Sequence, residues 1–363
     1  MSGFSIAALS RPELAELSAY SPDLASYRVR LDANEAPPLM SAAARQRISE
    51  VLADGAWERY PDPSLASLRR AIGQSLGVTP EEILPGVGSD EVISLLLTAF
   101  VRPLPPADTA TVLTTTPSFV MYRMSARCRG LRVMEVPLDT GWDLSVEAMK
   151  SAFSMSPPSI VFIASPNNPT GNLMSLTRLE QVIAAAPQAL FVIDEAYIAY
   201  SDRDQLELYR RFPNVAILRT LSKLGFAAFR LGFLLAHPDV VTELDKVRLP
   251  YNVPTPTQRV AELAFTELEP EVKRIAREVV RERERVAAAL AQLPGAQVTP
   301  SQANFLWLRT APPAGELYEA LKQRGILVRS FHGRGGRLGH QLRITIGTAA
   351  ENDELCASLA ELT

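Results

Sequence analysis

Short apolar runs recur along the first two thirds of the chain and predict buried β-strands. Six of them lie at residues 111–117, 131–138, 159–166, 189–197, 215–222 and 231–236. Most of these runs are continuous rather than alternating, which is the pattern of strands that are buried on both faces of a sheet. Helical patterns separate them, as at residues 89–101 and 175–186. Alternating strands and helices predict an α/β domain whose sheet is mostly parallel.

The pattern changes from about residue 256. A long amphipathic helix is predicted at residues 271–293, and strands are predicted within residues 296–310, 325–331 and 340–347, with a helix between the first two. Residues 332–340, rich in glycine, read as a flexible hairpin loop. The chain is therefore expected to have an N-terminal segment, a large domain and a smaller α+β domain, at residues 1–35, 36–255 and 256–363.

Composition and charge exclude several classes of protein. A net charge of -3 over 363 residues gives no reason to expect nucleic acid or an anionic membrane as a partner. Two cysteines imply no disulfide framework, and the apolar runs are too short to span a membrane. The chain start lacks the pattern of a signal peptide. Three scattered histidines do not suggest a metal site, so we expect a cytoplasmic protein without a metal.

Polar residues follow three of the predicted strands at the point where each strand ends. Asn168 lies in the turn-rich segment 165–171 after the third run, whereas Asp194 and Tyr197 follow the apolar part of the fourth. Lys223 comes just after the fifth run. Ligands of open α/β sheets bind at the carboxyl ends of the strands. The sequence therefore predicts that these side chains line one cleft.

The four side chains suit the chemistry of pyridoxal phosphate. A lysine amine in a partly desolvated pocket can form a Schiff base with its aldehyde, and the ring then acts as an electron sink. Asp194 suits the protonated ring nitrogen, which needs a buried carboxylate partner. Tyr197 and Asn168 can donate hydrogen bonds to the phenolate oxygen of the ring.

A glycine-rich helix start offers a place for the phosphate. Gly86 and Gly88 precede Ser89, where a helix is predicted to open, so free N–H groups and the positive end of the helix dipole meet an anion there. The segment is neither a Walker loop nor a Rossmann fingerprint, since Glu91 stands where the third glycine would be. The acidic side chains of Asp90 and Glu91 can face away from a phosphate while the amides bind it.

These motifs resemble the fold-type I, class II aminotransferases that depend on pyridoxal phosphate, and within them the histidinol-phosphate aminotransferase family. The resemblance covers nearly the whole chain and rests on ordered motifs: LDANEAP (31–37), RYPDP (59–63), GVGSDE (86–91), TPSFVMY (116–122), SPNNPTG (165–171), VIDEAY (192–197), RTLSKLGFAAFRLG (219–232), PYNVP (250–254), QANFLWL (302–308) and LRITIG (342–347). It implies a mostly parallel sheet sandwiched by helices in a large domain, with a smaller α+β C-terminal domain.

The resemblance also implies a role for each matching residue. Lys223 would be the Schiff-base lysine and the proton carrier between Cα and C4′. Asp194 would pair with the ring nitrogen, and Tyr197 and Asn168 would bind the phenolate oxygen. The remaining cofactor contacts would be Phe119, stacked on the ring, and Ser89, Asp90, Thr220, Ser222 and Arg230 around the phosphate.

Other motif residues are implied to contact the substrate or a second subunit. Arg343 is in the position that binds a substrate carboxylate. Arg329 and Tyr20 resemble contacts to the substrate phosphate, and Asn34 is a further substrate contact. Tyr60 resembles the tyrosine that reaches into the neighbouring subunit's phosphate site, which implies a homodimer with shared active sites.

One spacing departs from the wider superfamily. Arg230 lies seven residues after Lys223, where many fold-type I aminotransferases have eight. The backbone between the two cations is therefore expected to turn more tightly. If Arg230 did not reach the phosphate, the site would depend more on Ser89, Ser222 and Tyr60.

The implied function is transamination in histidine biosynthesis. Histidinol phosphate and 2-oxoglutarate would be interconverted with imidazole acetol phosphate and glutamate by ping-pong aldimine and ketimine chemistry. An aminotransferase for aromatic amino acids is the nearest alternative, and a phosphothreonine decarboxylase of similar architecture is a third. A non-enzymatic regulator normally requires a fused DNA-binding module, for which the residues before LDANEAP are too few.

Overall fold

The computed structural model describes residues 6–14, 23–102 and 110–363. Within these ranges the α-helices are α1 (Ile6–Leu9), α2 (Ala42–Ala53), α3 (Ala66–Leu76), α4 (Gly88–Phe100), α5 (Val120–Arg127), α6 (Val146–Met155), α7 (Leu176–Ala185), α8 (Leu206–Arg211), α9 (Pro238–Val247), α10 (Thr255–Phe265), α11 (Glu269–Leu290), α12 (Ala314–Gln323) and α13 (Ala349–Leu362). None of the helices in these ranges has the length and apolar character needed to cross a membrane.

The strands form two sheets. Their bounds are β1 (Val29–Leu31), β2 (Ile83–Val87), β3 (Thr111–Thr116), β4 (Arg132–Pro137), β5 (Pro158–Ala164), β6 (Leu190–Asp194), β7 (Val215–Thr220), β8 (Leu231–Leu235), β9 (Gln297–Thr299), β10 (Phe305–Arg309), β11 (Ile326–Ser330) and β12 (Gln341–Thr345). The larger sheet has seven strands in the order β2-β8-β7-β6-β5-β3-β4, and the smaller has five in the order β1-β11-β12-β10-β9.

The larger sheet is mostly parallel, as predicted. The pairs β4–β3, β3–β5, β5–β6 and β6–β7 are parallel, and only β8 runs antiparallel to its two neighbours. The continuous apolar runs are explained by burial on both faces. In β5, Val161 and Ile163 belong to one hydrophobic cluster, whereas Ile160 and Phe162 belong to a second cluster on the other face. Helices contribute to both clusters and cover both faces.

The smaller sheet differs in detail from the prediction. The stretch 296–310, predicted as one strand, divides into β9 and β10 because the polar residues between them form a turn in which Ser301 Oγ donates to the carbonyl of Phe305 at 2.6 Å. β1 pairs in parallel with β11, so a short segment near the start of the chain completes the small sheet. β1 and β2 escaped prediction because one has three residues and the other contains proline and glycine.

Helix α11 occupies the position of the predicted long helix. Its buried face includes Ile275, Val279, Val286 and Leu290, as the apolar spacing predicted. Arg283 is also buried on this helix and donates hydrogen bonds to backbone carbonyls. Residues 332–340 connect the antiparallel strands β11 and β12 through two short 3-10 turns, which agrees with the predicted hairpin loop. The division of the chain into domains remains a prediction.

Candidate active site

Parallel strands bring the predicted polar residues to one edge of the larger sheet. Asp194 is the last residue of β6, and it pairs with Ala164 of β5 on one side and Leu218 of β7 on the other. Asn168 follows β5, and Lys223 follows β7. Three segments that are distant in sequence therefore end beside one another, at the edge where ligands of open α/β sheets bind.

Asp194 is a carboxylate held inside the protein. It is 4% exposed, and its Oδ1 accepts a hydrogen bond from the backbone N–H of Ala196 at 3.0 Å. Oδ2 accepts a hydrogen bond from the hydroxyl of Tyr122 at 2.5 Å. Burial raises the pKa of Asp194 to about 6, although both hydrogen bonds and the charge of Lys223 oppose this rise. At neutral pH the carboxylate is mostly ionised, and it is fit to pair with a buried cationic group.

Tyr122 belongs to this site although the sequence analysis gave it no role. It is the third residue of α5, is fully buried and stacks on Phe162 of β5, with ring centroids 4.9 Å apart. Burial and the charge of Asp194 raise the pKa of Tyr122 well above its ordinary value, so its hydroxyl remains a donor. The motif TPSFVMY contains this tyrosine, but no local pattern indicates that it meets a residue 72 positions further along the chain.

The hydroxyl of Tyr197 accepts hydrogen bonds from two side-chain amides. The donors are Nδ2 of Asn34, at 2.9 Å, and Nδ2 of Asn168, at 3.4 Å. A phenolic oxygen has two lone pairs and one proton. Because both amides occupy the lone pairs, the hydroxyl proton is directed elsewhere and can be donated to a ligand oxygen.

Asn34 is fully buried in this network. Its backbone N–H donates to Oγ1 of Thr345 at 3.0 Å, and Thr345 donates back to Oδ1 of Asn34 at 3.1 Å. Nδ2 of Asn304 donates to the carbonyl of Asn34 at 2.9 Å. Asn34 has a φ of 55°, in the left-handed region that asparagine tolerates better than most residues. The predicted substrate contact therefore lies against Tyr197 and ties it to the small sheet.

Lys223 lies in an irregular helical segment, Ser222–Phe226, directly after β7. Its Nζ is 5.9 Å from the centroid of the Tyr197 ring, and its side chain is half-buried. The backbone carbonyl of Lys223 accepts a hydrogen bond from the hydroxyl of Tyr200. The main chain is thereby anchored while the amine projects toward the ring of Tyr197.

The end of β7 and the start of α4 form the predicted anion cradle. Gly232 of β8 lies so close to this helix start that a Cβ on it would stand 2.3 Å from the backbone nitrogen of Ser89. Only glycine permits that approach, which brings the first amides of α4 close to β8 at the point where Gly232 pairs with Thr220 of β7. Oγ1 of Thr220 donates to the carbonyl of Leu231 at 2.7 Å and lies 3.0 Å from Oγ of Ser222, so the two hydroxyls are grouped.

Arg230 reaches this cradle despite the short spacing. Its Nη1 lies 3.4 Å from Oγ of Ser222, and its Nη2 lies 3.5 Å from Oδ2 of Asp90. The intervening backbone turns tightly, since Gly225 has a φ of 89° and Arg230 itself has a φ of 49°. The guanidinium therefore joins Ser222 and the α4 start in one cluster.

The two acidic residues of the cradle behave differently. Oε2 of Glu91 accepts hydrogen bonds from the backbone N–H of Val87 at 2.5 Å and from Nδ2 of Asn252 at 2.8 Å, so this carboxylate is turned to the loop backbone. The Asp90 side chain is instead turned toward the cradle. Its carboxylate lies beside Arg230, because the guanidinium is the cation within reach.

The other predicted contacts occupy varied positions. Phe119 precedes α5 and meets Tyr122 edge-on, with ring centroids 5.5 Å apart. Tyr60 is 81% exposed and stacks on Tyr251 with centroids 4.7 Å apart. Arg329 is exposed on β11. Tyr20 lies outside the described residues.

A buried ion pair supports the strand ends. Nε of Arg219 donates to Oε2 of Glu195 at 2.7 Å, and Nη2 of Arg219 lies 3.0 Å from the carboxylate of Asp204. Burial raises the pKa of Glu195 to about 7, against the lowering effect of Arg219. Since Glu195 follows Asp194 and Arg219 is in the strand that leads to Lys223, the pair locks together the two segments that carry these residues. Sequence reasoning left Glu195 without a role.

A mostly parallel sheet with a lysine, an aspartate and a tyrosine at its carboxyl edge defines the class of this protein. The family model Aminotransferase class I and II matches residues 23–359. The chain therefore belongs to the class I and II aminotransferases.

Several similar proteins are named as one particular member of this class, histidinol-phosphate aminotransferase. The histidinol-phosphate aminotransferase 2 of Nitrosococcus oceani is 39% identical over 351 residues, which are 96% of this chain and 96% of that protein. The histidinol-phosphate aminotransferase 1 of Burkholderia lata is 39% identical, over 97% of this chain and 96% of its own. The crystal structure of the Sinorhizobium meliloti histidinol-phosphate aminotransferase in complex with pyridoxal-5'-phosphate has a TM-score of 0.86, with 25% identity, and covers 99% of this chain and 98% of its own.

Proposed function

We propose that this chain is a histidinol-phosphate aminotransferase that depends on pyridoxal phosphate. It would interconvert histidinol phosphate and 2-oxoglutarate with imidazole acetol phosphate and glutamate. The observation that carries the proposal is the position of the Lys223 amine, which lies beside the Tyr197 ring and next to buried Asp194. The names of relatives that match nearly the whole chain support the substrate.

The donor chemistry of the residues fits pyridoxal phosphate. The buried Asp194 carboxylate suits a protonated ring nitrogen, and the proton of the Tyr197 hydroxyl suits the phenolate oxygen. The amides at the start of α4, the hydroxyls of Thr220 and Ser222 and the guanidinium of Arg230 suit the phosphate. When bound, the cofactor supplies an aldehyde and an electron-accepting ring.

Each side chain then has a defined task. The Lys223 amine would hold the cofactor aldehyde covalently, and as a free amine it would carry the proton at the substrate Cα. Asp194 would supply the negative charge for the protonated ring nitrogen, and its burial would strengthen that attraction. Asn34 and Asn168 hold the hydroxyl of Tyr197 in place, and that hydroxyl would donate to the phenolate oxygen.

Two arginines on one face of the small sheet support an anionic substrate group. Arg343 and Arg329 are directly opposite each other in the antiparallel β11–β12 pair. Like charges in such positions destabilise a sheet, and a bound anion removes that cost. Nη1 of Arg343 also donates to Oδ1 of Asn168 at 2.7 Å, which links this arginine to the cofactor contacts. A guanidinium fork accepts a carboxylate or a phosphate, so one cluster can serve glutamate and histidinol phosphate.

The preference of the enzyme between amino donors can be tested by following the first half of the transamination with each donor alone. The cofactor-loaded protein is titrated separately with histidinol phosphate and with phenylalanine, and the loss of its visible absorbance is followed. We expect kcat/KM to be at least about 100-fold higher for histidinol phosphate, because its phosphate offers the two guanidinium groups more negative charge and one more acceptor oxygen than the carboxylate of phenylalanine does. A higher value for phenylalanine would favour the aromatic aminotransferase, and release of CO₂ from phosphothreonine without a keto acid would favour the decarboxylase.

We also propose that the enzyme is a cytoplasmic homodimer in which Tyr60 serves the partner's site. Tyr60 is a large aromatic side chain that is 81% exposed and stacks on Tyr251, itself 42% exposed. Exposed aromatic pairs of this kind are characteristic of surfaces that meet a partner.

A complementation experiment tests this arrangement. Tyr60→Ala and Lys223→Ala are each expected to be inactive as homodimers. When the two variants are co-refolded, half of the dimers are mixed, and one of the two sites in each mixed dimer has both Lys223 and the other subunit's Tyr60. Activity should return to about a quarter of the wild-type value. If Tyr60 serves its own subunit, no site is complete and the mixture stays inactive.

A further inference from the structure

Tyr122 is a buried polar residue that the transamination chemistry does not by itself require. Its ring packs against Phe162 face to face and against Phe119 edge-on, and it is fully excluded from solvent. A hydrophobic slot of this kind accepts phenylalanine equally well. The hydroxyl therefore needs an explanation, and its hydrogen bond at 2.5 Å to Oδ2 of Asp194 supplies one.

The hydrogen bonds on Asp194 determine how its carboxylate is oriented. The backbone N–H of Ala196 holds Oδ1 at 3.0 Å, and the Tyr122 hydroxyl holds Oδ2. With one donor on each oxygen, rotation about the last side-chain bond is blocked. The remaining lone pairs point in directions that are set by the protein before any ligand binds, which is the preorganisation that buried electrostatic partners need.

We propose that Tyr122 is a positioning residue of the cofactor site, whose hydroxyl holds the Asp194 carboxylate in the orientation and charge state that keep the cofactor ring nitrogen protonated. This inference rests on the proposed cofactor site. Its physical basis is competition for one proton between the carboxylate and the ring nitrogen. A donor to the ionised carboxylate disperses its negative charge and lowers its affinity for that proton, so the proton stays on the ring.

The Tyr122→Phe variant isolates the hydroxyl, because the ring and its stacking on Phe162 are retained. The protein is loaded with pyridoxal phosphate labelled with ¹⁵N at the ring nitrogen, and the ¹⁵N chemical shift is measured across the neutral and mildly alkaline pH range. In the wild type we expect the signal of a protonated nitrogen. In Y122F the proton distribution should move about tenfold or more toward Asp194, so the signal shifts toward that of neutral pyridine.

Kinetics give a second readout. In Y122F, kcat is expected to fall about tenfold while KM for the amino donor changes less than about threefold, because the substrate contacts are untouched. Replacing Tyr122 by 3-fluorotyrosine, whose hydroxyl is a stronger donor, should keep the nitrogen at least as protonated as in the wild type. If the Tyr122 hydroxyl had a purely structural role, Y122F would change neither the ¹⁵N shift nor kcat beyond its loss of stability.

Tyr209→Phe is the matched control. The Tyr209 hydroxyl also donates to a carboxylate, Oε1 of Glu82, at 2.5 Å, and it lies on α8 before the amino end of β7, away from Asp194. Y209F should match the wild type in ¹⁵N shift and in kcat. The inference is overturned if Y122F keeps the wild-type ¹⁵N shift and loses activity only in proportion to its loss of thermal stability. If the wild-type nitrogen is neutral, or if Asp194→Asn leaves its signal unchanged, the cofactor site itself is wrong.

Discussion

The Lys223→Ala variant is expected to lose the visible absorbance of the bound cofactor and more than about 10⁴-fold in transamination rate. The reason is that the proposed mechanism gives one amine both tasks, the covalent bond to the aldehyde and the proton transfer at Cα. The segment around it should still fold, since its anchors are a backbone hydrogen bond from Tyr200 and the buried side chains of Leu224 and Phe226. Absorbance of the purified protein and a coupled assay for glutamate measure the two effects.

Lys246→Ala is the control for this change. Lys246 lies on α9, its side chain is 61% exposed, and it pairs with Glu243 on the surface. The control should keep the absorbance and the activity of the wild type. A Lys223→Ala protein that remained yellow and turned over normally would contradict the assignment of Lys223.

The Asp194→Asn variant is expected to lose roughly 10²–10³-fold in kcat, the usual cost of removing one preorganised electrostatic partner from a buried site. An amide of nearly the same shape fills the space but carries no charge to match the ring nitrogen. Asp54→Asn is a suitable control because Asp54 is exposed at the end of α2. A variant of Asp194 with wild-type kcat would mean that this carboxylate does not face the reacting ring.

Asp194→Asn is also expected to change how the free energy of unfolding of the cofactor-free protein depends on pH. The pKa of Asp194 is raised from 3.8 to about 6 in the folded state, so between about pH 4 and pH 6 the folded protein binds more protons than the unfolded chain. The free energy of unfolding therefore falls as pH rises through this window, by up to about 3 kcal/mol, and the loss is complete above pH 6. Asp194→Asn should lack this part of the pH dependence, whereas Asp54→Asn should follow the wild type. Denaturant unfolding at several pH values measures the difference.

Much of the cofactor side of the site is predictable from local sequence. Continuous apolar runs identify strands that are buried on both faces, and the polar residues that follow them mark the carboxyl edge of the sheet. Asn168, Asp194 and Lys223 could therefore be placed near each other without coordinates, because parallel neighbours end on the same side. The Gly-rich start of α4 was recognisable for the same reason, since glycine spacing before a helix is a local signal.

The proposed substrate-binding residues are brought together by strand pairings that no local sequence pattern predicts. Arg329 and Arg343 face each other because of the β11–β12 register, and a shift of one residue would send one side chain to the other face. Asn34 reaches Tyr197 across 163 positions only because the chain start joins the small sheet beside β11. Tight turns likewise decide whether Arg230 reaches Ser222.

The sequence by itself determined the fold class, the cleft at the strand ends and the residues suited to pyridoxal phosphate. These features follow from the spacing of apolar residues and from the types of residue in turns, both of which are local properties of the sequence. Only the tertiary structure decided that Tyr122 donates to Asp194, that Asp90 lies against Arg230 and that Glu195 pairs with Arg219. These contacts join side chains through packing between elements. A hydrogen bond depends on distances of a few tenths of an ångström, which periodicity along the chain does not specify.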